Sequence, residues 1–104
     1  MANKYILSKI YRIYDVNYNM VYYGSTIESL ATRMAKHRIN YKRYKEGKTN
    51  YYYSFKIFNE YGVENCKIEL VEYYPCNNIE ELKQREGHYI ENNECVNKLS
   101  LIHI

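Results

Sequence analysis

The first quarter of the chain alternates between apolar and polar residues, the pattern of a strand with one buried face. Residues 7–14 are rich in β-branched and aromatic types and predict one strand, and residues 20–24 predict another. Turn-forming residues separate the two segments. The chain is therefore expected to open with a β-hairpin.

The length of the hairpin loop sets which residues face each other. A four-residue loop, Asp15–Tyr18, is a common hairpin length and pairs Tyr14 with Asn19. In this register Tyr11 lies directly opposite Tyr22, with both rings on one face of the sheet. A shift by one residue would send the two rings to opposite faces.

Helical periodicity follows the hairpin. Ser25–Glu28 has the S-x-x-E spacing of a capping box and predicts a helix from about Glu28 to Tyr44. The inner stripe of this helix consists of Leu30, Met34, His37, Tyr41 and Tyr44. Residues 51–61 predict a second helix, which Gly62 ends as a left-handed residue.

The second half of the chain predicts one more strand and one more long helix. Residues 66–74 alternate and form the strand, which Pro75 ends, and residues 78–91 form the helix. Residues 95–99 are expected to be irregular or a short helical turn. The order β-β-α-α-β-α describes an α+β fold, a small three-stranded antiparallel sheet flanked by helices. Residues 1–104 are expected to form a single domain, because the chain has no internal repeat or linker.

Several protein classes are disfavoured by composition. No run approaches the ~20 apolar residues of a membrane span, and the first residues lack the features of a signal peptide, so an intracellular protein is expected. The cysteines, Cys66, Cys76 and Cys95, form no C-x-x-C pair, and the histidines are scattered. We therefore expect reduced thiols and no structural zinc.

Positive charge is concentrated in one segment. The net charge is only +3, but residues 33–48 contain seven basic residues and one acid. A basic helix suits a polyanion, because lysine and arginine release counterions from phosphates. On charge alone, a solvated helix face is the favoured explanation of the segment.

Two polar residues lie inside apolar helical stripes. Glu86 falls among Ile79, Leu82 and Ile90 in the last predicted helix. Three interpretations of Glu86 stay open: a glutamate whose head reaches solvent, a structural partner of an arginine, or a metal ligand. His37 is the second case, and a lone inward histidine is more often a hydrogen-bonded core residue than a catalyst.

The combination of these elements resembles the GIY-YIG nuclease superfamily. Residues 9–13 (KIYRI) and 21–26 (VYYGST) match its two strand motifs, and Arg33 and His37 match its helix motif. Glu86 matches the metal-binding glutamate of that family. The resemblance extends over residues 8–98.

Some positions depart from the family pattern or play a supporting part in it. Lys9 stands where the first glycine of the motif usually is, and Tyr23 replaces an isoleucine. Asn97 matches a late asparagine of the family. Asn97, Lys36 and Lys9 are expected to support the site or to contact phosphate.

The resemblance implies a metal-dependent endonuclease that hydrolyses DNA phosphodiester bonds. Tyr11 would act as general base, Arg33 would contact the scissile phosphate, and Glu86 would be the only carboxylate on Mg²⁺ or Mn²⁺. Tyr22 and His37 would hold water or phosphate, or His37 would relay a proton.

Two other functional classes compete with a nuclease. A non-catalytic DNA-binding module that keeps the fold is one, and a structural α+β protein is the other. All five polar positions of the family motif are occupied here, by Tyr11, Tyr22, Arg33, His37 and Glu86. This favours an enzyme, because a pure binding module has no need of Glu86 beside phosphates.

Overall fold

The computed structural model describes residues 3–99 and contains one antiparallel sheet with the strand order β2-β1-β3. The strands are β1 (Lys9–Asp15), β2 (Val21–Thr26) and β3 (Cys66–Tyr73). The helices are α1 (Leu30–Lys45), α2 (Phe55–Tyr61), α3 (Ile79–Asn92) and α4 (Val96–Leu99). Short 3₁₀ turns cover Lys4–Leu7 and Val63–Asn65. The predicted α+β fold and its order of elements are confirmed.

The hairpin is paired two residues away from the predicted register. Tyr14 pairs with Val21 and not with Asn19, so that Tyr11 faces Gly24. The prediction that Tyr11 and Tyr22 are direct partners is therefore wrong. Because the shift is even, both rings still lie on the same face, with centroids 6.3 Å apart.

The side chain of Asp15 explains the longer loop. Its carboxylate is fully buried and accepts hydrogen bonds from the backbone amides of Asn17 and Met20, at 3.1 and 2.7 Å, and from the side chain of Asn19. Tyr18 takes a positive φ of 56° within this loop. An aspartate that binds the backbone of its own loop stabilises a wider turn than the four-residue one.

Two helix starts differ from prediction. The cap of α1 is Ser29, whose hydroxyl accepts from the amide of Thr32 at 3.1 Å, so the predicted capping box at residues 25–28 is wrong. Ser25 still belongs to β2 and cannot cap a helix. The helix α2 begins four residues later than predicted and ends, as expected, at Gly62 with φ 83°.

Both faces of the sheet are covered. Tyr11 and Ile13 pack with Met34, Phe55 and Phe58 of α1 and α2 on one face. On the other face, the ring of Tyr23 stacks on Tyr89 of α3, with centroids 5.8 Å apart. Within residues 3–99, no helix has the length and apolar character needed to cross a bilayer.

A close approach between Tyr11 and Gly24 shapes the edge of the sheet. Tyr11 belongs to the central strand, and its ring crosses the edge strand β2 at Gly24. A Cβ atom added at Gly24 would lie 2.4 Å from the Tyr11 hydroxyl oxygen, closer than atoms can pack. The Tyr11 hydroxyl can therefore occupy this position only because Gly24 has no side chain.

Replacing Gly24 by alanine should destabilise the fold, because the new methyl group must displace the buried Tyr11 ring. We expect a loss of about 1–3 kcal/mol in the free energy of unfolding, the usual effect of overpacking a core. Urea denaturation of Gly24→Ala checks this. Gly87→Ala is the matched control, since a Cβ there meets no atom within 4 Å and should stabilise α3 slightly. Equal stability of the two variants would contradict the packing argument.

Candidate active site

The hydroxyl of Tyr11 is the centre of a buried polar cluster. Tyr11 is fully buried, and its hydroxyl oxygen accepts a hydrogen bond from Nε of Arg33 at 3.1 Å. The same hydroxyl lies 2.8 Å from Nε2 of His37. Arg33 and His37 are four residues apart on α1, so one face of that helix delivers both groups to the sheet.

His37 is fixed from its other side by Ser54. Nδ1 of His37 lies 3.0 Å from the hydroxyl of Ser54, a fully buried residue directly before α2. Burial, and then the charge of Arg33, lowers the pKa of His37 to about 3. The imidazole is therefore neutral at physiological pH. Sequence reasoning missed Ser54, since nothing in its neighbourhood marks it as a partner of a histidine 17 residues away.

The charge of Arg33 fixes the direction of one hydrogen bond, because the guanidinium is always protonated and donates to the Tyr11 oxygen. The direction of the Tyr11–His37 hydrogen bond depends on the tautomer of the neutral imidazole. With Nδ1 protonated, Nδ1–H donates to Ser54 and the Tyr11 O–H group donates to Nε2. With Nε2 protonated, both hydrogen bonds run in the opposite direction.

The two phenols have different electrostatic surroundings. Burial raises the pKa of Tyr11 above its usual value, and the charge of Arg33 offsets part of this rise. The pKa of Tyr22 is raised strongly, by burial first and then by Tyr11 and Glu86. Both groups are neutral at pH 7. A phenolate is better stabilised at Tyr11, which supports Tyr11 over Tyr22 as the candidate base.

Glu86 reaches the cluster from the other side of the sheet. It lies on α3, and its Oε1 accepts a 2.6 Å hydrogen bond from Ser25 of β2 and faces Lys83 at 3.3 Å. After burial, its charge is one of the causes that raise the pKa of both Tyr11 and Tyr22. No arginine in residues 3–99 pairs with Glu86, and Oε2 has no hydrogen bond in that range.

Arg33 differs from the other half-buried arginines of the fold. Arg12 forms an ion pair with Glu69, and Arg85 forms two hydrogen bonds with Glu72, at 2.6 and 2.8 Å. Arg33 makes no ion pair with any carboxylate in the described part of the chain. A half-buried cation without a counter-ion is costly, and an anionic ligand would remove that cost.

The remaining sequence candidates lie around this cluster. Asn97 is buried and clamps the backbone of Tyr23, accepting from its amide at 3.0 Å and donating to its carbonyl at 2.9 Å. Lys9 donates to the carbonyl of Glu28 at 2.8 Å, and Lys36 pairs with the carboxylate of Glu28 at 2.6 Å. Asn97 therefore supports β2, while the two lysines hold the segment that leads into α1.

Glu86 is the carboxylate of this cluster that is open to a ligand. Within residues 3–99, no three His, Cys, Asp or Glu side chains come together as a metal site. A single carboxylate is compatible with Mg²⁺, which keeps several waters and takes oxygen ligands from a phosphate. Within residues 3–99 the Oε2 of Glu86 forms no hydrogen bond, and the side chain is 17% exposed.

Comparisons of the chain with protein-family models, with curated proteins and with solved structures gave no match. The case for a function therefore depends on the side chains around Tyr11.

The stability of the domain should depend on pH through His37. The unfolded state binds a proton near pH 6.5 and the folded state only near pH 3, so His37 costs stability as the pH falls through 6.5. Relative to His37→Gln, which has no ionisable ring, the parent should lose about 2 kcal/mol of unfolding free energy between pH 7 and pH 5. Urea denaturation at both pH values measures this difference. A constant gap between parent and variant would show that His37 is not held neutral.

Proposed function

We propose that the chain is a metal-dependent endonuclease that hydrolyses DNA phosphodiester bonds, as its resemblance to the GIY-YIG superfamily implies. One observation carries the proposal. The half-buried guanidinium of Arg33 has no carboxylate partner in the described residues and is hydrogen-bonded to Tyr11, a phenol that also contacts the neutral base His37. This arrangement joins an anion-binding group to a proton-transfer pair.

Arg33 binds the scissile phosphate. Its Nε is occupied by Tyr11, and its terminal amino groups are available to phosphate oxygens. The basic residues further along α1 add long-range attraction to a polyanion.

Tyr11 is the general base. In the tautomer with Nδ1 protonated, its proton passes from the hydroxyl to Nε2 of His37 over the existing 2.8 Å hydrogen bond, and the phenolate then takes a proton from the attacking water. As the water oxygen bonds to phosphorus, the P–O bond to the leaving sugar oxygen breaks. That oxygen takes up a proton from solvent, and His37 releases one to solvent. Burial, and after it the charge of Arg33, depresses the pKa of His37 in the free protein. A phosphate anion at Arg33 offsets that charge, so substrate binding makes His37 a better proton acceptor.

Glu86 is the residue that would hold Mg²⁺ or Mn²⁺, and a bound ion would supply the positive charge that a Tyr11 phenolate and the reacting phosphate require. Ser25 keeps the carboxylate of Glu86 oriented through their 2.6 Å hydrogen bond. Asn97 keeps β2 in register beside it by clamping the backbone of Tyr23.

Glu86→Gln tests the metal-binding assignment. The amide keeps the size of the side chain but removes its charge, so plasmid cleavage in Mg²⁺ should fall by about a hundredfold or more. Glu80→Gln, an exposed position on the same helix, is the control and should cleave like the parent. The assignment fails if Glu86→Gln is as active as the parent, or if both variants lose activity equally.

Arg33→Lys tests the phosphate assignment. Lysine keeps the charge but loses the planar fork and the Nε–H donor to Tyr11. Cleavage should drop about 10- to 100-fold, the effect of one charge-assisted hydrogen bond. Arg38→Lys, exposed on the same helix, should retain activity. Full activity of Arg33→Lys would show that the guanidinium geometry is not used.

A further inference from the structure

A small pocket opens directly beside the Tyr11 cluster. Its volume is about 200 Å³, and its lining consists of Tyr22, Arg33, His37, Asn40 and Tyr52. The first three residues belong to the proposed active site. Asn40 and Tyr52 have no part in the proposed hydrolysis, so their presence in the same pocket needs a separate explanation.

Asn40 offers an unused amide to the pocket. It lies on α1 three residues after His37 and is half-buried. Its side chain makes no hydrogen bond within residues 3–99. A side-chain amide provides two donors and one acceptor carbonyl, the combination with which asparagine binds the edge of a nucleic-acid base.

Tyr52 offers an exposed ring that is held in position. Its side chain is 48% exposed, and its ring packs edge-on against the fully buried Phe55, with centroids 5.3 Å apart. The carbonyl of Tyr52 also accepts from the amide of Phe55 at 2.9 Å. Bases of single-stranded nucleic acid stack on aromatic side chains that are presented in this way.

The position and size of the pocket indicate its occupant. A group in the pocket lies next to whatever anion Arg33 holds, and a volume of about 200 Å³ accommodates a single planar ring system but not a duplex. A paired base inside a helix cannot reach such a pocket, whereas an unpaired base can. We propose that this pocket binds an unpaired base next to the phosphate at Arg33, with Tyr52 stacking on the base and Asn40 bonding its edge. The substrate class is then DNA with an unstacked nucleotide, such as a flap, a bulge or a single strand; this rests on the proposed function.

The test measures DNA binding without cleavage, by fluorescence anisotropy in EDTA. The probes are a perfect duplex and the same duplex with a one-nucleotide bulge. The parent should bind the bulged probe about tenfold more tightly than the duplex, and Tyr52→Leu should abolish that difference. Tyr52→Phe keeps the aromatic face and should retain the preference for the bulged probe. Asn40→Ala should reduce the dependence of affinity on which of the four bases is unpaired.

Tyr53→Leu is the matched control, because Tyr53 is also exposed but does not line the pocket. Equal effects of Tyr52→Leu and Tyr53→Leu, or equal parent affinity for both probes, would overturn the proposal. A cleavage assay on the same probes in Mg²⁺ distinguishes a failure of the base-pocket proposal from a failure of the proposed nuclease function. If the protein prefers the bulged probe through Tyr52 but does not cleave it, the base-binding pocket is supported and the nuclease is refuted. If it cleaves the probes without that preference, the nuclease is supported and the base-binding pocket is refuted.

Discussion

The hydrogen bonds of one buried phenol constrain the rest of this fold. Tyr11 is fully buried, and a hydroxyl left without partners in that position would cost about 1–3 kcal/mol. Its partners Arg33 and His37 come from α1, while Gly24 leaves the space that its ring occupies. The packing of α1 on the sheet and the placement of Arg33 and His37 therefore depend on each other. The polar cluster of the candidate site is also part of the core.

The alternation of residues predicted the faces of the sheet but not its register. The pattern assigns Tyr11 and Tyr22 to one face, and any even shift in pairing preserves that assignment. The actual shift depends on the buried carboxylate of Asp15, whose hydrogen bonds select a wider loop. A pattern of apolar and polar residues contains no information about such bonds. The cap of α1 was misplaced at Ser25 because the spacing of a capping box also occurs by chance inside a strand.

The part of the candidate site that comes from α1 was predictable because its two residues share an element. Arg33 and His37 are one helical turn apart, so periodicity alone places them side by side. Ser54 and Tyr52 precede α2, and they meet α1 only because the aromatic residues of α2 pack on the sheet. Their roles come from tertiary packing, which a single sequence does not specify. The apolar stripe predicted that Glu86 faces inward, and its side chain is only 17% exposed. Its partner Ser25 was not predicted, because their contact follows from the pairing of β2.

The electrostatics of the free protein keep the proposed proton transfer inactive until substrate arrives. Burial and Glu86 raise the pKa of Tyr11, while burial and the unpaired charge of Arg33 lower that of His37, so the proton stays on the phenol. In the proposed mechanism, an anion at Arg33 would weaken the effect of the Arg33 charge on His37 but would add negative charge beside Tyr11. A cation held by Glu86 would offset that second effect. Each change would act on the pKa of one partner only, so the proposed proton transfer would require phosphate and cation together.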